Sequence, residues 1–181
     1  MTEIYVPAPA DRYELCQPID PADFETINIQ IDGTPRRTTW RPLQMRLVHE
    51  DEGKVLLASD SPWLGSHALI FRQLATEKLG RVLEPHGELL PLDCSEAALS
   101  LFNATQVVDA LDEHASSVMR FSNGKIMHIT RYMFRDAAIG PNHIFKIPNL
   151  RVSPTFVTKQ VAKMWRSAGL RGLEFTKVWS D

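Results

Sequence analysis

The stretch Ser153-Pro154-Thr155-Phe156-Val157-Thr158-Lys159-Gln160-Val161-Ala162-Lys163-Met164-Trp165-Arg166-Ser167-Ala168-Gly169-Leu170, continued by Arg171-Gly172-Leu173-Glu174-Phe175-Thr176-Lys177-Val178-Trp179, decides the fold class. Val157, Val161, Met164, Trp165 and Ala168 recur at helical spacing and form one apolar stripe, so 154–168 is expected to be an amphipathic helix. Ser153 suits the N-cap and Pro154 the first turn. Gly169 stands where a left-handed C-cap belongs, with Leu170 as its apolar partner. Gly172 turns the chain, and Leu173–Trp179 then reads as a closing strand. A well-bounded helix running straight into a strand points to helices and strands sharing one core.

Upstream, Ser122-Asn123-Gly124 separates the β-rich segments Val118–Phe121 and Lys125–Phe134, a hairpin signal. Leu89–Leu92, Ala98–Val108 and Ile144–Ile147 read as further strands. Leu69, Ile70, Leu74, Lys78 and Leu79 recur at helical spacing with no proline or glycine in 66–79, which predicts a helix over about 66–84. Nearer the N-terminus, Thr26–Ile31 alternates with period two and reads as a half-buried strand. Trp40–Val48 and Lys54–Ala58 read as strands joined through Glu50-Asp51-Glu52-Gly53. Short turns favour antiparallel pairing. The expectation is α+β: a single domain over 1–181, with a mainly antiparallel sheet packed by two principal helices. Its expected core includes Leu74, Leu90, Leu101, Val108, Ile129, Phe145, Val161, Trp165 and Phe175.

Hydrophobic residues make up 44% of 181, enough for a sizeable core, and no repeat or low-complexity tract is visible. No apolar run approaches the roughly 18 residues a membrane helix needs. Met1–Val6 has neither the basic nor the apolar region of a secretory leader. Cys16 and Cys94 read as reduced thiols, so a cytoplasmic protein is expected. Net charge is −2, unevenly spread: residues 1–114 carry 19 Asp and Glu against 9 Lys and Arg, residues 115–180 carry 2 against 11. Either the halves neutralise each other across one core, or the acidic half offers a field to a basic partner.

His86, Glu88, Asp93 and Cys94 are the tightest cluster of reactive types. They would suit a small cysteine- or histidine-dependent hydrolase, but an apolar strand with one small thiol explains Leu89–Cys94 better. The six histidines show no i, i+4 pair, and with two lone cysteines a zinc site is unsupported. Phosphate-loop, dinucleotide and serine-elbow patterns are absent. Arg131-Tyr132-Met133-Phe134-Arg135 interleaves aromatics with cations, as a nucleic-acid-binding module in the basic half would, but solvated charges on an amphipathic strand explain it better. No catalytic residue, metal ligand or cofactor is assigned, and nucleic acid and membrane are not expected partners.

The run His86-Gly87-Glu88-Leu89-Leu90-Pro91-Leu92-Asp93-Cys94 fits no chemical rule. With Asn103, Val107-Val108-Asp109-Ala110-Leu111-Asp112, Ser117, Arg120-Phe121, Ile144-Phe145-Lys146-Ile147-Pro148 and the Ser153–Trp179 stretch, it resembles the eleventh of the numbered bacterial immunity-protein families, formerly a domain of unknown function. The likeness divides the chain into a family-like part, 61–181, and a variable N-terminal part, 1–60. It implies a cytoplasmic antidote that binds and neutralises a cognate toxin or effector in interbacterial competition, without enzymatic activity or cofactor. Glu50, Asp51, Glu52, Asp109, Asp112 and Glu113 are the candidate partner-binding residues, each drawn from the acidic half. The likeness is silent on the toxin and on oligomeric state.

Overall fold

The computed structural model describes residues 1–181. In chain order the elements are β1 (Glu3–Pro9), β2 (Leu15–Pro18), α1 (Asp23–Gln30), β3 (Met45–Val48), β4 (Glu50–Asp51), β5 (Lys54–Val55), β6 (Leu69–Arg72), α2 (Gln73–Leu83), β7 (Gly87–Leu92), β8 (Leu99–Ala104), β9 (Ser117–Arg120), β10 (Ile126–Arg131), α3 (Asp136–Ile139), β11 (Ile144–Phe145), β12 (Phe156–Thr158), α4 (Lys159–Ser167) and β13 (Leu173–Ser180). All strand pairs within the sheets are antiparallel. The fold is a single α+β domain, and α2 and α4 are its two principal helices.

Two sheets organise the core. The larger has the order β11-β12-β1-β13, and the second β6-β8-β7. Period-two alternation gives each sheet two apolar faces. Tyr5, Ile144, Val157 and Leu173 point from the larger sheet towards Leu69, Phe71 and Phe102 of the second, with α2 and α4 filling the space through Leu79, Val161 and Trp165. On the other face of the larger sheet, Ile4, Phe145, Phe156 and Trp179 pack under Leu111, Ile126, Ile129 and Phe134 from the β9–β10 region. On the other face of the second sheet, Ile70, Leu90, Leu99 and Leu101 pack against Cys16, Ile27, Ile31, Met45 and Leu47 from the N-terminal part.

Several sequence expectations are corrected. The 66–84 helix begins only at Gln73, because Leu69, Ile70 and Phe71 are all buried and pair with β8. Helical spacing places one face inward, but a strand sandwiched between two cores buries consecutive residues. Leu74, assigned to the core, is 48% exposed. Likewise 156–158 pairs as a strand with β1, so α4 starts at Lys159 and Ser153 is no cap. Its hydroxyl instead accepts the Ile147 N–H at 3.0 Å. Thr26–Ile31 lies mostly in α1. Ile27 and Ile31, four apart, are buried, whereas Ile29 is 62% exposed. Asp20 accepts the Ala22 N–H at 2.9 Å just before the helix, and Asp23 and Glu25 place acids in its first turn. Three isoleucines at period two satisfied both readings, and local turn chemistry decided.

Other expectations hold. Gly169 has φ +70°, and Leu170 N–H donates to Trp165 C=O while Gly169 N–H donates to Arg166 C=O, the paired bonds of a Schellman end. Gly124, with φ +83°, closes the β9–β10 hairpin, where Phe121 N–H donates to Lys125 C=O.

Candidate partner-binding surface

The Glu50-Asp51-Glu52 turn is the tip of an exposed hairpin. Glu50 pairs with Val55 and Asp51 with Lys54, and Leu56 N–H donates to His49 C=O at 2.8 Å. Glu52 and Gly53 both have positive φ, +48° and +74°, as a two-residue turn matched to strand twist requires. The hairpin is joined to the body at Leu57, whose N–H donates to Arg12 C=O and whose C=O accepts the Glu14 N–H. One face of the hairpin, with Asp51, Lys54 and Leu56, lines an open groove of about 790 Å³ that also contains Asp11, Arg12 and Glu174. Asp11 and Glu174 reach this site only through the tertiary fold, and no sequence signal connects them to it.

The base of the hairpin is tied by charge. Glu14, almost fully buried, takes Arg72 Nη2 at 2.6 Å on Oε1, which also accepts the Ser59 N–H. His49 Nε2 lies 2.6 Å from Glu96 Oε2, and His49 Nδ1 lies 3.3 Å from Glu14 Oε2. The bond to Glu96, with the charges of Glu96 and Glu14, raises the His49 pKa above its ordinary value against a smaller opposing effect of burial. Glu96 is lowered correspondingly, first by His49 and then by the Leu47 N–H it accepts. The tip itself has no such partner: Glu50, Asp51 and Glu52 make no ion pair or side-chain hydrogen bond, and all three are exposed.

Asp109, Asp112 and Glu113 lie apart from the hairpin, beside the β9–β10 region, and each is engaged within the chain. Asp109 pairs with Arg135 at 2.9 Å, and Glu113 pairs with Arg120 and accepts Asn149 Nδ2. Arg120 is the first cause of the lowered Glu113 pKa. Asp112 Oδ1 accepts the N–H groups of His114 and Ala115. Arg151–Glu25 and the pairs of Lys159 and Lys177 with Glu3 also join the basic half to the acidic half. Much of the charge asymmetry is therefore neutralised across the fold, and the exposed hairpin tip retains its field.

The reactive-looking residues have structural tasks. His86 is 8% exposed; its Nδ1 meets Val82 C=O at 3.0 Å and its Nε2 accepts the His143 N–H at 3.0 Å, so both ring nitrogens are occupied. Glu88 accepts the N–H groups of Arg36 and Arg37 and one N–H of Asn103 Nδ2, which also donates to Thr34 C=O. Gly87-Glu88 and Asn103, opposed across β7 and β8, thus pin the 34–37 loop of the N-terminal part. Cys16 is buried, and burial pushes its thiol up to about 12. Cys94 lies beyond β7, partly buried against the third core. In the basic segment, Phe134 is buried and Tyr132 packs edge-on to Phe156 at 5.5 Å, so these rings face inward rather than offering a stacking surface. No three His, Cys, Asp or Glu side chains converge as a metal set. No helix is long and apolar enough to cross a membrane.

No curated protein matches the chain. Residues 97–180, from just before β8 to the end of β13, match the Immunity protein family (Imm11), and over that stretch the chain is similar to an immunity protein of the eleventh family.

Proposed function

We propose that this protein is a cytoplasmic antidote that binds a cognate bacterial toxin or secreted effector and neutralises it by occupying its surface, without catalysis of its own. The family match carries this reading. The occupation of both His86 ring nitrogens and of the Glu88 carboxylate by structural bonds supports binding over hydrolysis. Within the acidic half, the Glu50-Asp51-Glu52 tip is the favoured contact. It is exposed, it is braced by its turn and by the contacts at its base, and its carboxylates are unpaired. Asp109, Asp112 and Glu113 contribute as a weaker second patch, because Arg135, Arg120 and backbone N–H groups already hold them.

The test is expression of the toxin encoded beside this gene, with and without this protein, and binding kinetics of the purified pair. Rescue of growth and a stable complex are expected. The combined variant Glu50→Gln, Asp51→Asn and Glu52→Gln should slow association by roughly threefold to tenfold at low ionic strength and flatten its salt dependence, with dissociation little changed. Absence of both complex and rescue overturns the antidote reading. An unchanged association rate in the charge variant overturns only the placement of the contact.

A further inference from the structure

The two faces of the 49–57 hairpin differ in kind. Asp51, Lys54 and Leu56 face the groove. Strand alternation puts Glu50, Val55 and Leu57 on the opposite face, with Glu50 and Val55 directly paired across the hairpin. On that outer face Val55 is 72% exposed and Leu57 53% exposed. Single exposed apolar residues are ordinary. Here two stand two residues apart on one short hairpin, and only Met1 among the large apolar residues is more exposed than Val55. The fold offered an alternative, since the neighbouring Leu47 of β3 is buried in the third core. No element of the chain covers Val55 and Leu57.

We propose that Val55 and Leu57 form the apolar anchor of the partner interface, and that they take an apolar patch on the toxin bordered by lysine or arginine side chains. This rests on the antidote reading above and adds to it the chemistry of the surface recognised. Charge complementarity sets the border: Glu50 flanks Val55 on the same face, and Asp51 and Glu52 complete an acidic tip with no cation of its own except Lys54. Anchor and border do different work. Burial of Val55 and Leu57 opposes separation of the complex, whereas the carboxylates accelerate encounter. Rigidity lowers the entropy lost on docking. The positive φ pair at the tip, the His49–Leu56 bond and the Glu14–His49–Glu96 tie at the base hold the hairpin before the partner arrives. Among the other exposed apolar side chains, Met119 and Met127 on the β9–β10 hairpin sit instead on a segment carrying Arg120, Lys125 and Arg131, a surrounding of the opposite sign.

The test is dissociation of the complex with the adjacent toxin, measured for the double variant Val55→Ser, Leu57→Ser and separately for Val55→Thr, which keeps shape and strand preference. The double variant should dissociate about tenfold faster or more, with association nearly unchanged, the reverse of the charge variant. Val55→Thr should show a smaller effect in the same direction. Denaturation midpoints should stay near wild type, because Val55 is mostly and Leu57 about half in water. Met119→Ser with Met127→Ser should leave dissociation unchanged. Wild-type dissociation in the Val55/Leu57 variant, with the wild-type complex intact, overturns this proposal alone. Absence of any wild-type complex overturns the antidote reading and the anchor with it. A wild-type dimer in sedimentation that the Val55/Leu57 variant turns to monomer, with toxin binding intact, assigns the face to self-association and also overturns the anchor.

Discussion

At the scale of the residue, position in the fold sets the cost of change. Trp165 is 2% exposed and lies among Phe71, Phe175 and Val161, so Trp165→Ala should cost about 3–5 kcal/mol by denaturant unfolding. At Gly169 an added Cβ would meet nothing within 4 Å, so the cost of Gly169→Ala is that of the left-handed backbone alone, about 1 kcal/mol. Lys146 is a different case. It is fully buried, with Nζ donating to His67 C=O and Ser153 C=O, and burial lowers its pKa to about 7, partly offset by Asp32. Its folded pKa lies below its unfolded value near 10.5, so the cost of burying the charge is fully present below pH 7. It is relieved as pH rises, because the unfolded state then binds more protons. Stability should therefore rise between pH 7 and 9, and Lys146→Met should lose this slope although it leaves two carbonyls unsatisfied. Above about pH 9 the rise should level off, since Cys16, raised to about 12, resists the ionisation available to the unfolded thiol and offsets the Lys146 slope. Urea midpoints across pH 7–10 for both proteins check the signs.

At the scale of the element, spacing alone misjudged where helices begin. The α2 stripe is Ala75, Leu79, Val82 and Leu83, not Leu74. Leu79→Ala should cost about 2–5 kcal/mol, while Leu74→Ala should stay within about 0.5 kcal/mol of wild type. Equal costs for the two would remove this assignment of the helix face. Both principal helices are preceded by a short strand that the helical pattern absorbed: Leu69–Arg72 before α2 and Phe156–Thr158 before α4. Neither helix has a side-chain cap at its start, so the boundary signal a sequence reader relies on is missing. Where punctuation is strong, at Asn123-Gly124 and Ala168-Gly169-Leu170, local chemistry alone requires the observed geometry.

At the scale of the whole molecule, the chain is tied together by its first strand. β1 lies between β12 and β13, so the sheet that contains the last three family-matched strands, β11, β12 and β13, has its centre supplied by Glu3–Pro9. Removing residues 1–9 would expose unpaired edges of β12 and β13 and take Ile4 and Tyr5 out of the cores on opposite faces of the sheet. The deletion variant should not show cooperative unfolding, and a fragment of residues 97–181 should fail to fold without residues 1–9. Well-dispersed amide spectra from that fragment would overturn the prediction. The N-terminal part is thus coupled to the rest through β1 in the larger sheet, the third core, the 34–37 loop held by Glu88 and Asn103, and the ion pairs Glu14–Arg72, His49–Glu96 and Glu25–Arg151.

The sequence by itself determined the α+β class, the antiparallel pairing, the C-terminal helix end with its closing strand, and the acidic turn at 50–53. Each follows from interactions within a few residues: a glycine at positive φ, a turn, an apolar period. The likeness at Gly87–Leu92 and Asn103 was also visible there, but not its physical content. Only the tertiary structure decided that Glu88 and Asn103 clamp a loop that lies 51 to 69 residues away in sequence. It also decided that Asp109 and Glu113 are held by arginines. It left Val55 and Leu57 uncovered. These depend on which surfaces meet across long stretches of chain, and local spacing does not encode that meeting.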